Sequence, residues 1–230
     1  MNKVIAVLLA AGSGKRMGTE CPKQFLKVKG RTVLEWSISA FSRVPAVDEI
    51  FIVTREDLLD TVSALVRAGN YNKVTRVMTG GKERSDSSLA AIRAAEAQGD
   101  DLRLLIHDAV RPLVSQRIIE DCIRGLDEYE AVDVAISSTD TIIEVDEEGI
   151  IRRTPERHLL RNVQTPQGFR LATIRRAYER AMLDPDFRAT DDCGVVFRYL
   201  PGIAIKVIEG DPTNIKITFP QDLEMMAARL

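Results

Sequence analysis

Short apolar runs and longer helical stretches alternate along the first half of this chain, and that alternation restricts the folds open to it. Four runs rich in Val, Ile and Leu are predicted strands, at 5–9, 49–54, 73–78 and 102–106. Four stretches are predicted helices, at 32–41, 56–66, 86–97 and 116–129. Strands that alternate with helices form a mostly parallel sheet with helices on both faces. We therefore predict an α/β fold that binds its ligands at the carboxyl ends of the strands.

The second half of the chain departs from this alternation. Its predicted elements are a strand at 132–138, a hairpin of 141–145 and 150–153, a strand at 203–208 and a final helix after a capping box at 218–221. Residues 139–161 are highly charged and have too few apolar side chains for their own core. We interpret them as an arm projecting from the sheet; an ordinary surface hairpin is the alternative. The length of 230 residues suits a single domain, 1–230.

Composition narrows the classes of function. A net charge of −2 and 5% aromatic residues provide neither a broad positive surface nor many stacking groups for nucleic acid. No apolar run approaches the roughly 18 residues of a membrane span. The three cysteines, at 21, 122 and 193, are far apart and odd in number, so no disulfide framework or zinc site is predicted. We expect a cytoplasmic protein with reduced thiols that binds neither nucleic acid nor membrane.

A glycine loop directly follows the first predicted strand. Gly12 and Gly14 allow main-chain N–H groups to approach phosphate oxygens closely, because no Cβ stands in the way. Lys15, Arg16 and Lys23 follow closely and supply positive charge. This combination is typical of a site for a polyphosphate. The alternative is a structural strand–helix turn with solvated cations.

Two familiar phosphate-binding loops do not match these residues. A P-loop requires Ser or Thr after its Gly-Lys pair and a glycine five positions before the second glycine. Here Lys15 is followed by Arg16, and Leu9 lies five positions before Gly14. A dinucleotide fingerprint requires G-x-G-x-x-G, and the third glycine, Gly18, comes one residue late.

Three further clusters could contribute chemistry. Asp108 follows the strand at 102–106, with Arg111 three residues later. Asp108 could contact a metal or a ligand hydroxyl, and Arg111 could contact a phosphate of the ligand. Alternatively, the two residues could simply form a capped turn. Residues 80–87 join a double glycine to a Ser- and Asp-containing helix start. Lys216 is flanked by apolar residues at a predicted strand end, where its charge needs water or an anion.

Seven short motifs follow one another across almost the whole chain. They are Ala10-Ala11-Gly12-x-Gly14-x-Arg16-Met17, Pro22-Lys23-Gln24, Gly80-Gly81-x-x-Arg84, His107-Asp108-Ala109-x-Arg111-Pro112, Thr165-Pro166-Gln167, Thr190-Asp191-Asp192 and Asn214-Ile215-Lys216. Their order closely resembles that of the 2-C-methyl-D-erythritol 4-phosphate cytidylyltransferase family. The resemblance implies a Rossmann-like nucleotidyltransferase sheet and a homodimer whose arm, 139–161, swaps between subunits. It also implies Mg²⁺ and the transfer of CMP from CTP to a polyol phosphate.

The same resemblance implies a role for each candidate residue. The residues implied in catalysis are Arg16, Lys23, Asp108 and Lys216. Those implied in nucleotide binding are Ala10, Ala11, Gly12, Gly14, Gly81 and Ser87. Those implied in binding the second substrate are Arg111, Thr141, Arg157, Thr165 and Thr190, of which Thr141 and Arg157 lie on the arm. Asp108 is also a candidate metal ligand, although Mg²⁺ would be held mainly by the phosphates of CTP.

Two other functions stay open. Ribitol 5-phosphate cytidylyltransferases share several of these motifs, and Val110 replaces an alanine that is common in the methylerythritol enzymes. Residues 20–23 and 190–192 favour the methylerythritol enzymes instead. A nucleotide-binding regulator without turnover is the other alternative, but it has less need of the four residues Arg16, Lys23, Asp108 and Lys216 around one phosphorus atom.

Overall fold

The computed structural model describes residues 2–12, 14, 17–18 and 21–230, and a seven-stranded sheet forms its centre. In chain order the strands are β1 (Lys3–Leu9), β2 (Lys27–Val28), β3 (Arg31–Thr32), β4 (Glu49–Thr54), β5 (Val74–Thr79), β6 (Leu102–Asp108), β7 (Ala131–Ser137), β8 (Glu144–Val145), β9 (Ile151–Arg153), β10 (Arg161–Arg170) and β11 (Ile205–Glu209). The order across the sheet is β11-β7-β10-β6-β1-β4-β5. Within this sheet, strand β10 is antiparallel to both of its neighbours, β6 and β7, and the other four neighbouring pairs are parallel.

Helices cover both faces of the sheet. They are α1 (Val33–Ser42), α2 (Leu59–Ala68), α3 (Arg84–Glu96), α4 (Gln116–Glu128), α5 (Leu171–Ala181), α6 (Asp192–Tyr199) and α7 (Pro220–Arg229). The alternating side chains of β1 enter two separate cores. Leu8 packs with α1, α2 and α4, whereas Val7 packs with α3, α5 and α6. Both faces of β1 are therefore buried, as its continuous apolar sequence predicts, and its carboxyl end is held rigidly. The mostly parallel α/β sheet is confirmed.

The elements predicted in the first half are present, with boundaries that differ by at most three residues. Two differences affect the site. Strand β6 extends through Asp108, which therefore lies in the strand rather than after it. The third predicted helix starts at Arg84 instead of 86, because Asp86 accepts a hydrogen bond from the backbone N–H of Glu83 and caps the helix there.

The second half contains three elements that the sequence pattern did not predict: β10, α5 and α6. From their polar side chains alone, residues 164–167 are predicted to form a loop, and this prediction was wrong. These residues lie inside β10, and Gln164, Thr165 and Gln167 are all buried. Their polar groups obscured the strand signal because strands are recognised by apolar alternation. Polar residues are nevertheless stable there, since each makes hydrogen bonds within the fold.

Two predictions near the C-terminal end were also wrong. Residues 214–218 form a loop after β11 rather than the end of a strand. The final helix is capped by Phe219 instead of Thr218, and Asp222 accepts hydrogen bonds from the backbone N–H groups of both. The loop places Lys216 beside Asp108. Among the described residues, no helix is long and apolar enough to cross a membrane.

The predicted arm forms a small separate hairpin. Strands β8 and β9 pair only with each other, in antiparallel register. The arm contains more apolar side chains than its high charge suggested. Several of these side chains face solvent in the single chain. Its exposed apolar side chains are Ile142, Ile143, Val145, Ile150, Ile151 and Leu159.

Candidate active site

A cavity of about 340 Å³ opens at the carboxyl ends of β1 and β6. It is lined by Leu9, Ala10, Ala11, Gly12, Gly14, Lys23, Gln24, Gly81, Lys82, Glu83, Arg84, Ser87, Asp108, Val110, Lys216 and Thr218. The six residues predicted to bind a nucleotide all belong to this lining, together with three of the four predicted catalytic residues. The fourth, Arg16, lies outside the described residues. We call this space the first cavity.

Main-chain groups form one side of the first cavity. The buried amide of Gln24 donates hydrogen bonds from Nε2 to the carbonyl oxygens of Ala10 (2.8 Å) and Gly12 (3.3 Å), which fixes the loop after β1. Gly14 has a φ of +67°, and a Cβ there would lie 3.2 Å from the backbone nitrogen of Lys23. Glycine therefore permits both the left-handed backbone and the close approach of Lys23 at this point.

Lys23 and Ser87 lie on different elements around the first cavity. Lys23 is 8% exposed, and its Nζ donates a hydrogen bond of 2.8 Å to the carbonyl oxygen of Ile217. Ser87 is 2% exposed and belongs to α3. A Cβ on Gly80 would lie 2.3 Å from Ser87 Oγ, so the double glycine lets the preceding turn pack directly on this hydroxyl. The cavity thus has a cation near the glycine loop and a hydroxyl on α3.

A second cavity, of about 290 Å³, adjoins the first. Its lining is Arg84, Asp108, Arg111, Val163, Gln164, Thr165, Gln167, Thr190, Asp191 and Lys216. Three of the residues predicted to bind the second substrate are among them: Arg111, Thr165 and Thr190. Arg84, Asp108 and Lys216 line both cavities and form the wall between them.

Asp108 is the one carboxylate of this shared wall. Its Oδ2 lies 2.7 Å from Lys216 Nζ and 3.9 Å from Arg111 Nε, and its Oδ1 lies 3.4 Å from Arg84 Nε. Burial alone disfavours the ionised carboxylate, but the positive charges of Arg84, Lys216 and Arg111 outweigh burial and hold the pKa of Asp108 well below its usual range. Asp108 is therefore ionised at neutral pH and holds three cations beside the two cavities.

His107 contacts two segments that carry site residues. Its ring is fully buried, with Nδ1 2.9 Å from Thr165 Oγ1 and Nε2 3.1 Å from the carbonyl oxygen of Arg111. The backbone N–H of Asp108 donates to the same Thr165 hydroxyl at 3.1 Å. Burial lowers the pKa of His107 to about 4, so the imidazole is neutral at pH 7. Because His107 faces neither cavity, it orients Thr165 and Asp108 and is not placed to act as a base.

Two residues predicted for the second substrate lie away from both cavities. Thr141 and Arg157 are on the exposed arm, and Arg157 Nη1 makes a long contact, 3.5 Å, with the carbonyl oxygen of Thr139. Within one chain, these two residues therefore do not join the rest of the candidate site.

The structure adds residues that the sequence pattern did not assign to the site. Arg84 was part of a motif but had no role, and its Nη1 lies 2.6 Å from Oδ2 of the fully buried Asp192. Asn214 donates from Nδ2 to the backbone carbonyl oxygen of Thr165, and its backbone carbonyl oxygen accepts a hydrogen bond from Arg111 Nη1. No local pattern could have identified these pairs, because their members lie far apart along the chain.

The chain matches the family model described as 2-C-methyl-D-erythritol 4-phosphate cytidylyltransferase over residues 4–230. It is 47% identical to a protein of that name from Thermobifida fusca, over 99% of this chain and 93% of the relative. It is also 43% identical to a bifunctional ribulose 5-phosphate reductase/CDP-ribitol pyrophosphorylase from Haemophilus influenzae, over 96% of this chain and 47% of that protein.

Solved structures resemble this fold over nearly its whole length. The 4-diphosphocytidyl-2C-methyl-D-erythritol synthase from Anaerococcus prevotii has a TM-score of 0.87 and 32% identity, covering 99% of this chain and 98% of that one. A 2-C-methyl-D-erythritol 4-phosphate cytidylyltransferase from Thermus thermophilus has a TM-score of 0.75 and 30% identity, covering 100% and 98% of the two chains. Sequence and structure thus point to the same group of proteins.

Proposed function

Because this chain belongs to the 2-C-methyl-D-erythritol 4-phosphate cytidylyltransferase family, we propose that it transfers CMP from CTP to 2-C-methyl-D-erythritol 4-phosphate. The products are a CDP-polyol and pyrophosphate. The observation that carries this proposal is the wall of Arg84, Asp108 and Lys216 that two cavities share. Two anionic substrates bound in these cavities would meet at a wall with more positive than negative side chains.

CTP fits the first cavity. Its triphosphate would lie along the main chain of the glycine loop, where N–H groups accommodate anions, with Lys23 as the nearest described cation. Arg16 would add a second cation by the family resemblance. The cytosine would lie toward Gly81 and Ser87, where a backbone group and a hydroxyl can contact the edge of a base.

The acceptor fits the second cavity. Arg111 supplies a guanidinium for its phosphate, and Thr165 and Thr190 supply hydroxyls for the polyol. Hydrogen bonds from Arg111 to the Asn214 carbonyl, and from Asp108 to Thr165, keep this lining in one arrangement. A preorganised lining reduces the entropy lost when the substrate binds.

The reaction needs no general base from the protein. An oxygen of the acceptor's phosphate monoester is the nucleophile, and the second pKa of such a group is about 6, so it is ionised at neutral pH. The obstacle is the repulsion between that anion and the α-phosphate of CTP. Lys23 and Lys216 would reduce this repulsion and align the two groups, which is the main contribution a protein makes to phosphoryl-type transfer.

Mg²⁺ is part of the proposal as a companion of the triphosphate. The described residues contain no group of three His, Cys, Asp or Glu side chains placed to hold a metal ion. Both oxygens of Asp108 already contact cations, so this carboxylate is a poor sole ligand. The side chains that the structure describes therefore do not fit a resident Mg²⁺ site, and we propose that the ion enters bound to the phosphates of CTP.

Pyrophosphate release from CTP tests this function. The purified protein should release it with 2-C-methyl-D-erythritol 4-phosphate and Mg²⁺, at a higher kcat/KM than with ribitol 5-phosphate. The relative from Haemophilus influenzae makes ribitol 5-phosphate the second candidate acceptor. A higher kcat/KM with ribitol 5-phosphate would transfer the assignment to that substrate, and no release with either would favour a nucleotide-binding regulator.

We also propose that the chain works as a homodimer with the arm exchanged between subunits. The exposed apolar side chains of the arm support a covering partner, since a two-stranded hairpin is only marginally stable by itself. Thr141 and Arg157 lie outside both cavities of their own chain, so exchange would let them reach the second cavity of the partner.

Complementation between inactive variants tests the exchanged arm. Arg157→Ala alone should weaken binding of the acceptor and leave CTP affinity within about twofold. Mixed with Lys23→Ala, it should regain activity, because one site of the heterodimer then carries both lesions and the other neither. Subunit exchange should be verified with differently tagged chains. A verified heterodimer as inactive as its parents would show that the arm serves its own subunit.

A cytoplasmic location without a nucleic-acid partner completes the proposal. All three cysteines are free thiols, and Cys122 and Cys193 are buried. The net charge of −2 also gives no general attraction to a polyanion. Detection of the protein outside the cytoplasmic fraction would contradict this part.

A further inference from the structure

Arg84 connects the shared wall to a buried part of the protein behind it. It is the first residue of α3, and its side chain contacts two carboxylates. Nη1 lies 2.6 Å from Asp192 Oδ2, and Nε lies 3.4 Å from Asp108 Oδ1. The first carboxylate is fully buried and lines neither cavity, whereas the second forms part of the wall between them.

Asp192 is itself held from several directions. Its Oδ1 accepts a hydrogen bond of 2.7 Å from the hydroxyl of Tyr178, which is 1% exposed. Its backbone N–H donates to Gln167 Oε1 at 2.9 Å. The carboxylate therefore has a fixed position, and the guanidinium of Arg84 is fixed by it in turn. An arginine suits this place because its planar group can address two carboxylates at once in a set geometry.

Asp108 depends on this fixed guanidinium. Lys216 also contacts Asp108, but its side chain is 40% exposed and comes from a loop, whereas the Arg84 side chain is 24% exposed. Of these two cations, Arg84 is the one anchored to a fully buried carboxylate. Without Arg84, Asp108 would keep only the exposed ammonium group of Lys216 at hydrogen-bond distance, since Arg111 Nε lies farther away, at 3.9 Å. The carboxylate could then rotate, and Lys216 would move with it.

We propose that Tyr178, Asp192 and Arg84 act as a positioning relay that sets the orientation of Asp108, and through it the position of Lys216 between the two substrates. The inference rests on the proposed cytidylyl transfer. Tyr178 touches neither cavity, so it can influence the reaction only through other residues. Because the relay aligns groups at the point where the substrates meet, it acts mainly on kcat rather than on CTP binding.

Tyr178→Phe is the decisive variant because it removes one hydroxyl and leaves the buried ring. We expect kcat to fall about fivefold or more, with the dissociation constant for CTP within about twofold of the wild type. Tyr199→Phe is the matched control. Tyr199 also donates a hydrogen bond to a carboxylate, Asp184 Oδ2 at 2.6 Å, and also packs against Phe187, but it lies outside the site. Its kcat should stay within about twofold of the wild type.

A double-mutant cycle separates a relay from a general loss of packing. Arg84→Lys keeps the positive charge but cannot hold both carboxylates in one plane, and we expect it to lower kcat more than Tyr178→Phe does. If Tyr178 acts through Arg84, adding Tyr178→Phe to Arg84→Lys should lower kcat by less than twofold further. Multiplication of the two single effects would overturn the relay.

The outcomes distinguish this inference from the proposed function. A wild-type protein that releases no pyrophosphate with either acceptor would overturn both. An active wild type in which Tyr178→Phe behaves like Tyr199→Phe would overturn the relay alone. Calorimetric titration with CTP shows whether each variant retains the first cavity, so a change in kcat can be assigned to the reaction step.

Discussion

Asp133 gives a prediction about stability that does not depend on the reaction. This half-buried residue of β7 accepts a hydrogen bond from Gln167 Nε2 at 2.9 Å, and the same nitrogen lies 2.6 Å from Asp191 Oδ2. Burial is the main cause that raises the pKa of Asp133, to about 7, and the negative charges of Asp191 and Asp192 add to it. We predict that Asp133→Asn stabilises the protein at alkaline pH.

The size and sign of the effect follow from proton linkage. A carboxyl group with a pKa of 3.8 in the unfolded chain and about 7 in the folded one holds its proton more tightly when folded. Its ionisation therefore reduces the free energy of unfolding progressively between pH 4 and 7, by about 4 kcal/mol when complete. Asparagine keeps an oxygen that can accept from Gln167 but does not ionise. The gain from Asp133→Asn should thus be about 2–3 kcal/mol larger at pH 8 than at pH 5.

Urea unfolding of both proteins at pH 5 and pH 8 measures this difference. The protein concentration must be the same throughout, because a dimer would make stability depend on it. Asp186→Asn, which removes an exposed carboxylate, controls for the change in net charge and should show no such dependence. Equal gains at the two pH values, or a loss at pH 8, would refute the argument that burial penalises an ionised Asp133.

The remaining predictions distinguish a residue that stabilises the transition state, Lys23, from one that contributes to CTP binding, Ser87. Lys23→Met should lower kcat by about a hundredfold or more, because a preorganised cation is lost where negative charge develops, and a rise in KM alone would contradict that role. Ser87→Ala should raise KM for CTP and leave kcat within about twofold, since a contact to the base is equal in the ground and transition states; a large fall in kcat would contradict it.

The sequence predicted the first half of the fold well because its signals are local. The apolar run of β1, the glycines that follow it and the polar residues at the end of β6 are each recognisable within a few positions. Parallel strands bring their carboxyl ends to one edge of the sheet, so the meeting of the Gly12 loop and Asp108 also follows from the pattern.

The unpredicted parts depend on long-range partners. Strand β10 contains Gln164, Thr165 and Gln167, which look like a loop until their hydrogen bonds to distant residues are known. Arg84 and Asp192 are 108 positions apart, and no periodicity links them. The electrostatics of the site follow the same rule, since the low pKa of Asp108 comes mainly from Arg84 and Lys216, which lie 24 and 108 positions away in the sequence. Local propensity carries no information about such pairs.

The hydrogen bond from Lys23 to the carbonyl oxygen of Ile217 also has a consequence for synthesis of the protein. Its two residues are 194 positions apart, and Lys216 and Asp108 are 108 apart. Domains are made from the N-terminus, so the glycine loop emerges from the ribosome long before the loop that carries Lys216. A nascent chain can therefore form much of the sheet while its candidate active site still lacks one side. Nucleotide binding should appear only late in translation, after residue 217 has emerged.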